Sequence, residues 1–136
     1  MLSIAICDDE EYFRTTEKKL ISKYMAGKNC ECMIDMYESG KELLALRSAI
    51  SQYNIIFLDV NMEEIDGIET AKEIRKISKD VFIVFVTAFI TYALEGYKVD
   101  AVRYLIKDHE SLEKAMTECM DLSLIHISEP TRHSLI

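Results

Sequence analysis

Short apolar runs alternate along this chain with stretches whose apolar residues recur at helical spacing. Ile4–Cys7 reads as a strand, and Phe13, Thr16, Leu20 and Tyr24 then share a helical face that ends near Gly27. Cys32–Tyr37 reads as a second strand. Ser39 and Glu42 form a capping box for a helix carrying Leu43, Leu44 and Leu46. Ile55–Leu58 is the third strand, and Asp66 with Glu69 caps a helix whose inner stripe is Ile68, Ala71 and Ile74. Val81–Val86 is the fourth strand, followed by a short helix around Tyr92, Leu94 and Tyr97. Ala101–Ile106 is the fifth, and Leu112, Ala115, Met116, Cys119 and Met120 make the last helical stripe, which ends near Met120. Five βα units in succession predict an α/β fold, a (βα)5 doubly wound parallel sheet with helices on both faces.

Strand chemistry predicts the strand order. The first, third and fourth strands are apolar on both faces, as central parallel strands are. The second carries Asp35 between Ile34 and Met36, and the fifth carries Arg103 between Val102 and Tyr104, so both read as edges. The order 2-1-3-4-5, a flavodoxin-like architecture, follows. It puts a topological switch point between strands one and three, and ligands bind such sheets there, at the carboxyl ends of the strands.

Composition narrows the function. The 136 residues carry 24 acidic and 16 basic side chains, a formal charge of -8, and are 49% hydrophobic. That is enough apolar material for a core, and the charge repels nucleic acid while favouring a cation or a basic partner. The longest apolar run, Val81–Val86, is far short of a membrane span, and Met1–Ile4 does not open a secretory signal. Cys7, Cys30, Cys32 and Cys119 match neither a disulfide framework nor a paired zinc motif, which points to reduced thiols and a cytoplasmic setting.

The candidate chemistry gathers at the switch point. Strand one ends in Asp8-Asp9, strand three in Asp59, strand four in Thr87 and strand five in Lys107. Three carboxylates in one cleft raise one another's pKa unless a cation joins them. Open oxygen ligands suit Mg²⁺. Asp8 and Asp9 are placed as metal ligands, and Asp59, on the central strand, as the nucleophile of a phosphoryl transfer assisted by Thr87 and Lys107.

This set, in order on a (βα)5 pattern, resembles the receiver domain of two-component response regulators over residues 1–121. Ile4-Ala5-Ile6-Cys7-Asp8-Asp9-Glu10, and the stretch from Thr87-Ala88-Phe89 to Tyr92-Ala93-Leu94, are most similar to receivers attached to LytTR-type DNA-binding domains. The resemblance implies that Asp59 accepts a phosphoryl group from a phosphohistidine of a sensor histidine kinase. It implies Mg²⁺ on Asp9, on Asp8 directly or through water, on Asp59, and on the backbone carbonyl of Asn61. Lys107 then pairs with Asp59 and afterwards with the phosphoryl group, Thr87 swings towards it, and Tyr104 rotates inward behind it. In the family this repacks the face of helix four, strand five and helix five, which often forms a homodimer. Catalysis is self-directed, limited to phosphotransfer and slow autodephosphorylation, and there is no membrane partner.

Other functions fit less well. A flavodoxin-like cofactor binder needs a phosphate loop after strand one, where Asp8-Asp9-Glu10-Glu11 repels phosphate. An aspartate-nucleophile phosphohydrolase favours a second acid two residues on, where Asn61 stands, and a cap for which the chain has no room. A phosphorylation-independent interaction module is the remaining alternative.

Two departures from the receiver pattern stand out. Receivers usually carry Lys-Pro after strand five; here it is Lys107-Asp108, and because a non-proline cis bond costs about 2.5–4 kcal/mol, a trans bond is expected. Residues 122–136 resemble the in-frame translation of a transposon-based sequencing adapter, which makes them a non-native tail and implies a lost output domain, with DNA as a partner of the full-length protein only. Without them the charge stays at -8 and the sole proline, Pro130, is gone. Sequencing the genomic locus across codon 121 is expected to show different codons from 122 onward, and a native match to residues 122–136 defeats the reading.

Overall fold

Runs of β-branched and aromatic residues with no polar face can be satisfied only by burial on both sides. In the structure, a computed structural model that describes residues 1–88, 103–108 and 110–128, with side chains to 124, they form one sheet. Its strands are β1 (Leu2–Cys7), β2 (Cys32–Tyr37), β3 (Ile55–Asp59), β4 (Phe82–Thr87) and β5 (Arg103–Ile106), all parallel and ordered β2-β1-β3-β4-β5. β1, β3 and β4 are the inner strands, as their apolar composition requires. The expected helix around Tyr92, Leu94 and Tyr97, and residues 101 and 102 of the fifth strand, lie outside the described residues.

The strand period of two splits the core into two layers. Ile4, Ile6, Ile55, Phe57, Val84 and Val86 face α1 (Glu11–Gly27) and the C-terminal helix, α4 (Leu112–Ser128), through Ile21, Met25, Met116 and Met120. Ala5, Cys7, Ile56, Leu58, Ile83 and Phe85 face the other way, onto α2 (Gly40–Leu44), the 3₁₀ turn Arg47–Gln52 and α3 (Gly67–Ile77). Both expected caps form: Ser39 Oγ accepts the Glu42 N–H at 3.0 Å and Asp66 Oδ1 accepts the Glu69 N–H at 2.9 Å.

Two elements differ from expectation. The second helix stops at Leu44, and the chain continues as the 3₁₀ turn, with Arg47 at a φ of 52°. Three clustered leucines do not make a sustained helical stripe. The last helix, in contrast, runs past Met120 to Ser128. The apolar row Leu112, Met116, Met120 continues to Leu124, which packs on the core, and Ser123, which interrupts the pattern, is buried with its hydroxyl donating to the Cys119 carbonyl at 2.8 Å. A leucine-rich segment of any origin extends a helix that already faces a core. No cis peptide occurs among the described residues, so Lys107–Asp108 is trans as expected.

Gly67 seats α3 against the end of β3. A Cβ there would lie 2.1 Å from the Asp59 carbonyl oxygen and 2.8 Å from Val60 Cα, and the Gly67 N–H donates to the Val60 carbonyl at 2.8 Å. Backbone cannot yield as a flexible side chain can. Gly67→Ala is expected to lower stability by about 1–3 kcal/mol in urea unfolding.

Candidate functional site

The parallel register brings the ends of four strands together. Cys7 pairs with Leu58, Asp59 with Val86, and Thr87 with Ile106. Asp8, Asp59, Thr87 and Lys107 therefore stand around one point, as expected. Asp8 and Asp59 are 1% and 2% exposed, Thr87 is fully buried, and the Lys107 side chain is 4% exposed. Asp9 and Asn61 face solvent at the rim, and so do Glu63 and Glu64.

Lys107 Nζ lies 3.0 Å from Asp8 Oδ2 and 3.3 Å from Asp59 Oδ1, with Glu10 Oε1 at 3.8 Å. The approach to Asp8 Oδ2 is an ion pair without hydrogen-bond alignment. Asp8 Oδ1 accepts the Glu10 N–H at 2.9 Å, and Asp59 Oδ1 accepts the Asn61 N–H at 3.3 Å. Asp59 Oδ2 is buried with no hydrogen-bond partner among the described residues. The Lys107 N–H donates to the Thr87 carbonyl at 2.8 Å, which holds the end of β5 to the end of β4. Tyr104 is half-buried and stacks on Phe85, with ring centroids 5.2 Å apart.

Buried negative charge outweighs the single ammonium. Burial, and then the charge of Asp8, push Asp59 up to about 7, against the pull of Lys107 and the Asn61 N–H. Burial raises Asp8 as well, although the Glu10 N–H and Lys107 oppose it. Burial pulls Lys107 down, but Asp59 and Asp8 outweigh it and hold the ammonium above its ordinary value. The carboxylates are short of a cation. Oxygens of Asp8, Asp9 and Glu10 lie within 4.8 Å of one another, a hard-oxygen group of the kind that holds Mg²⁺, while Asp59 is not a member of that group.

Three contributors were not among the expected site residues. Glu10 joins the acidic group. Arg14 donates to the Asp8 carbonyl at 2.8 Å and reaches Glu38 at 3.5 Å, tying α1 to the loop after β1. Glu17 is 1% exposed on the core side of α1, and its Oε2 has no hydrogen-bond partner among the described residues. Its position carried a signal: it lies four residues after Phe13 and four before Ile21, on the face that turns inward.

The family model of the response regulator receiver domain matches residues 4–117. The chain belongs to that family. Sensory transduction protein LytT of Oceanobacillus iheyensis is 34% identical over 108 residues, which cover 78% of this chain and 42% of that protein. Transcriptional regulatory protein LytR of Staphylococcus aureus (strain N315) is 32% identical over 102 residues, covering 75% and 39%. This receiver thus spans about two fifths of the length of the curated relatives it matches, and its likeness to LytT and LytR agrees with the LytTR-type placement. Among solved structures, the response regulator TrrA of Thermotoga maritima in complex with Mg²⁺-BeF is similar at a TM-score of 0.73 and 31% identity, covering 91% of this chain and all of that one. The response regulator domain of Thermotoga maritima CheB, at 17% identity and a TM-score of 0.76, shares the fold. No helix among the described residues is long and apolar enough to cross a membrane.

Glu17 sets a pH dependence. Burial first, then the charge of Asp8, hold its carboxyl well above the usual 4.5, with Lys107 opposing and Asp59 adding. A group whose folded pKa is raised contributes stability that is complete below its unfolded pKa and is lost as pH rises towards its folded pKa. In metal-free buffer, stability is therefore expected to fall as pH rises above about 4.5. Glu17→Gln removes its share of that slope, so the variant gains on wild type as pH rises. Urea midpoints compared at pH 4.5 and 8 measure the gain.

Proposed function

We propose that this receiver is the phosphoacceptor of a two-component system, with Asp59 as the acceptor. The observation that carries the reading is the buried Asp59 carboxylate, held by Lys107 through one oxygen and without a hydrogen-bond partner among the described residues at the other. That second oxygen is available as a nucleophile towards phosphorus. On encounter with a sensor histidine kinase, an O–P bond forms at Asp59 as the P–N bond of a phosphohistidine breaks, and the departing imidazole keeps the electron pair. Attack of water on phosphorus later restores the carboxylate and releases inorganic phosphate. The domain acts catalytically on itself alone.

Asp8, Asp9, Asp59 and the Asn61 carbonyl would hold Mg²⁺, with Glu10 beside them. The ion supplies positive charge to offset the carboxylates and the incoming phosphoryl oxygens. Support comes from the acidic group around Asp8 and from the related TrrA, whose complex contains Mg²⁺-BeF. Lys107 follows the negative charge from the carboxylate to the phosphoryl group, and Thr87 supplies its hydroxyl. Tyr104, stacked on Phe85 behind them, turns inward and alters the surface around β5 and α4, which pairs with a second copy or a partner.

Receiver 1–121, tail 122–136 and a cytoplasmic setting complete the reading. The relative named as a transcriptional regulatory protein supports a DNA-binding domain in the full-length gene product, with this part acting through it. Incubation with acetyl phosphate and Mg²⁺ is expected to give wild type a hydroxylamine-sensitive acyl phosphate by mass spectrometry, and Asp59→Asn none. Equal labelling of the two proteins, or none in either, removes Asp59 from the role.

A further inference from the structure

The three carboxylates around Lys107 do not by themselves decide where its ammonium rests. Asp8, Asp59 and Glu10 lie at 3.0, 3.3 and 3.8 Å, and the last is on the solvent side, 59% exposed. A lysine on a four-carbon stem can follow any of them. The fourth neighbour is not an anion. The ring of Phe13 lies beneath the ammonium, with its centroid 4.4 Å from Nζ. The face of an aromatic ring is the negative end of its quadrupole and attracts a cation, most strongly where water is excluded, and this side chain is 4% exposed.

The ring is itself held. Tyr12 meets it edge-on, with centroids 5.1 Å apart and planes at 85°. Phe13 also packs against the core layer shared by α1 and the sheet. One residue on, the hydrogen bond from Arg14 to the Asp8 carbonyl ties the first turn of α1 to the metal-side loop. An aromatic wall fixed to the loop that carries Asp8 thus backs a flexible ammonium.

We propose that Phe13 is a positioning residue of the receiver: its ring face holds the Lys107 ammonium against Asp8 and Asp59, within reach of a phosphoryl group accepted at Asp59. Attraction to a ring carries no formal charge, so it restrains the ammonium without competing with the phosphoryl oxygens for it. Without the ring, the ammonium drifts towards Glu10 and solvent. The inference rests on Asp59 being the acceptor.

The test uses Phe13→Leu and Phe13→Met, which keep an apolar side chain, and Phe13→Tyr, which keeps the ring. At saturating Mg²⁺, both non-aromatic variants are expected to accept phosphate from acetyl phosphate roughly three- to thirtyfold more slowly than wild type, and Phe13→Tyr within about twofold of it. In a Lys107→Ala background, Phe13→Leu is expected to cost nothing further, because the pair acts as a unit. Wild-type rates in the non-aromatic variants, or the same loss with and without Lys107, overturn the proposal. A second readout needs no phosphorylation: NMR of the resting protein is expected to show the Lys107 Cε protons shifted upfield by the ring, and the shift lost in Phe13→Leu or, should that variant not fold, in Phe13→Met. Absence of the shift in wild type also overturns it. If wild type accepts no phosphate, the acceptor reading fails, and the NMR arm still decides the contact.

Discussion

One ammonium between two buried carboxylates is the interaction on which the site depends. Lys107 is the only cation within 4 Å of the Asp8 and Asp59 carboxylate oxygens among the described residues, and it opposes the rise that burial imposes on both acids. The balance is incomplete by design of the neighbourhood: Glu10 adds a further negative charge at the rim and Glu17 another carboxyl beneath. A site left short of positive charge has free energy in reserve for a divalent cation. The same shortage makes the metal-free domain sensitive to pH, because protons are the alternative way to relieve it.

The scaffold supplies what this balance needs. Parallel strands of a doubly wound sheet deliver their carboxyl ends to one edge, so residues some fifty positions apart in sequence become neighbours without loop ordering. β3, which ends in Asp59, contributes to both core layers, Ile55 and Phe57 to one and Ile56 and Leu58 to the other. Asp59 is therefore anchored from both faces of the sheet, and Gly67 permits α3 to close on its backbone from the remaining side.

Much of this was legible in the sequence, for particular reasons. Apolar runs with polar interruptions only in the second and fifth strands determined the sheet order, and the charged and hydroxyl residues at or just past four strand ends determined the cleft. Local pattern was weaker where it was interrupted. The last apolar stripe was expected to end near Met120, yet the helix continues to Ser128, and Leu124 extends the row. Leu43, Leu44 and Leu46 promised one helix, yet Arg47 takes a positive φ and the chain changes to a 3₁₀ turn. Contacts made by single side chains were the least visible. Glu17 needed its helical phase to be read against Phe13 and Ile21, and Arg14 needed the loop in three dimensions.

The main-chain bond from the Lys107 N–H to the Thr87 carbonyl joins the last two strands at their tips. Hydroxyl and ammonium are thereby carried on one stiff bracket, whose spacing belongs to the sheet and not to either side chain. Such a bracket lets the side chains be exchanged in the course of evolution while their separation stays set. It also ties the tips of β4 and β5 together, so that neither can be displaced without straining a bond to the other.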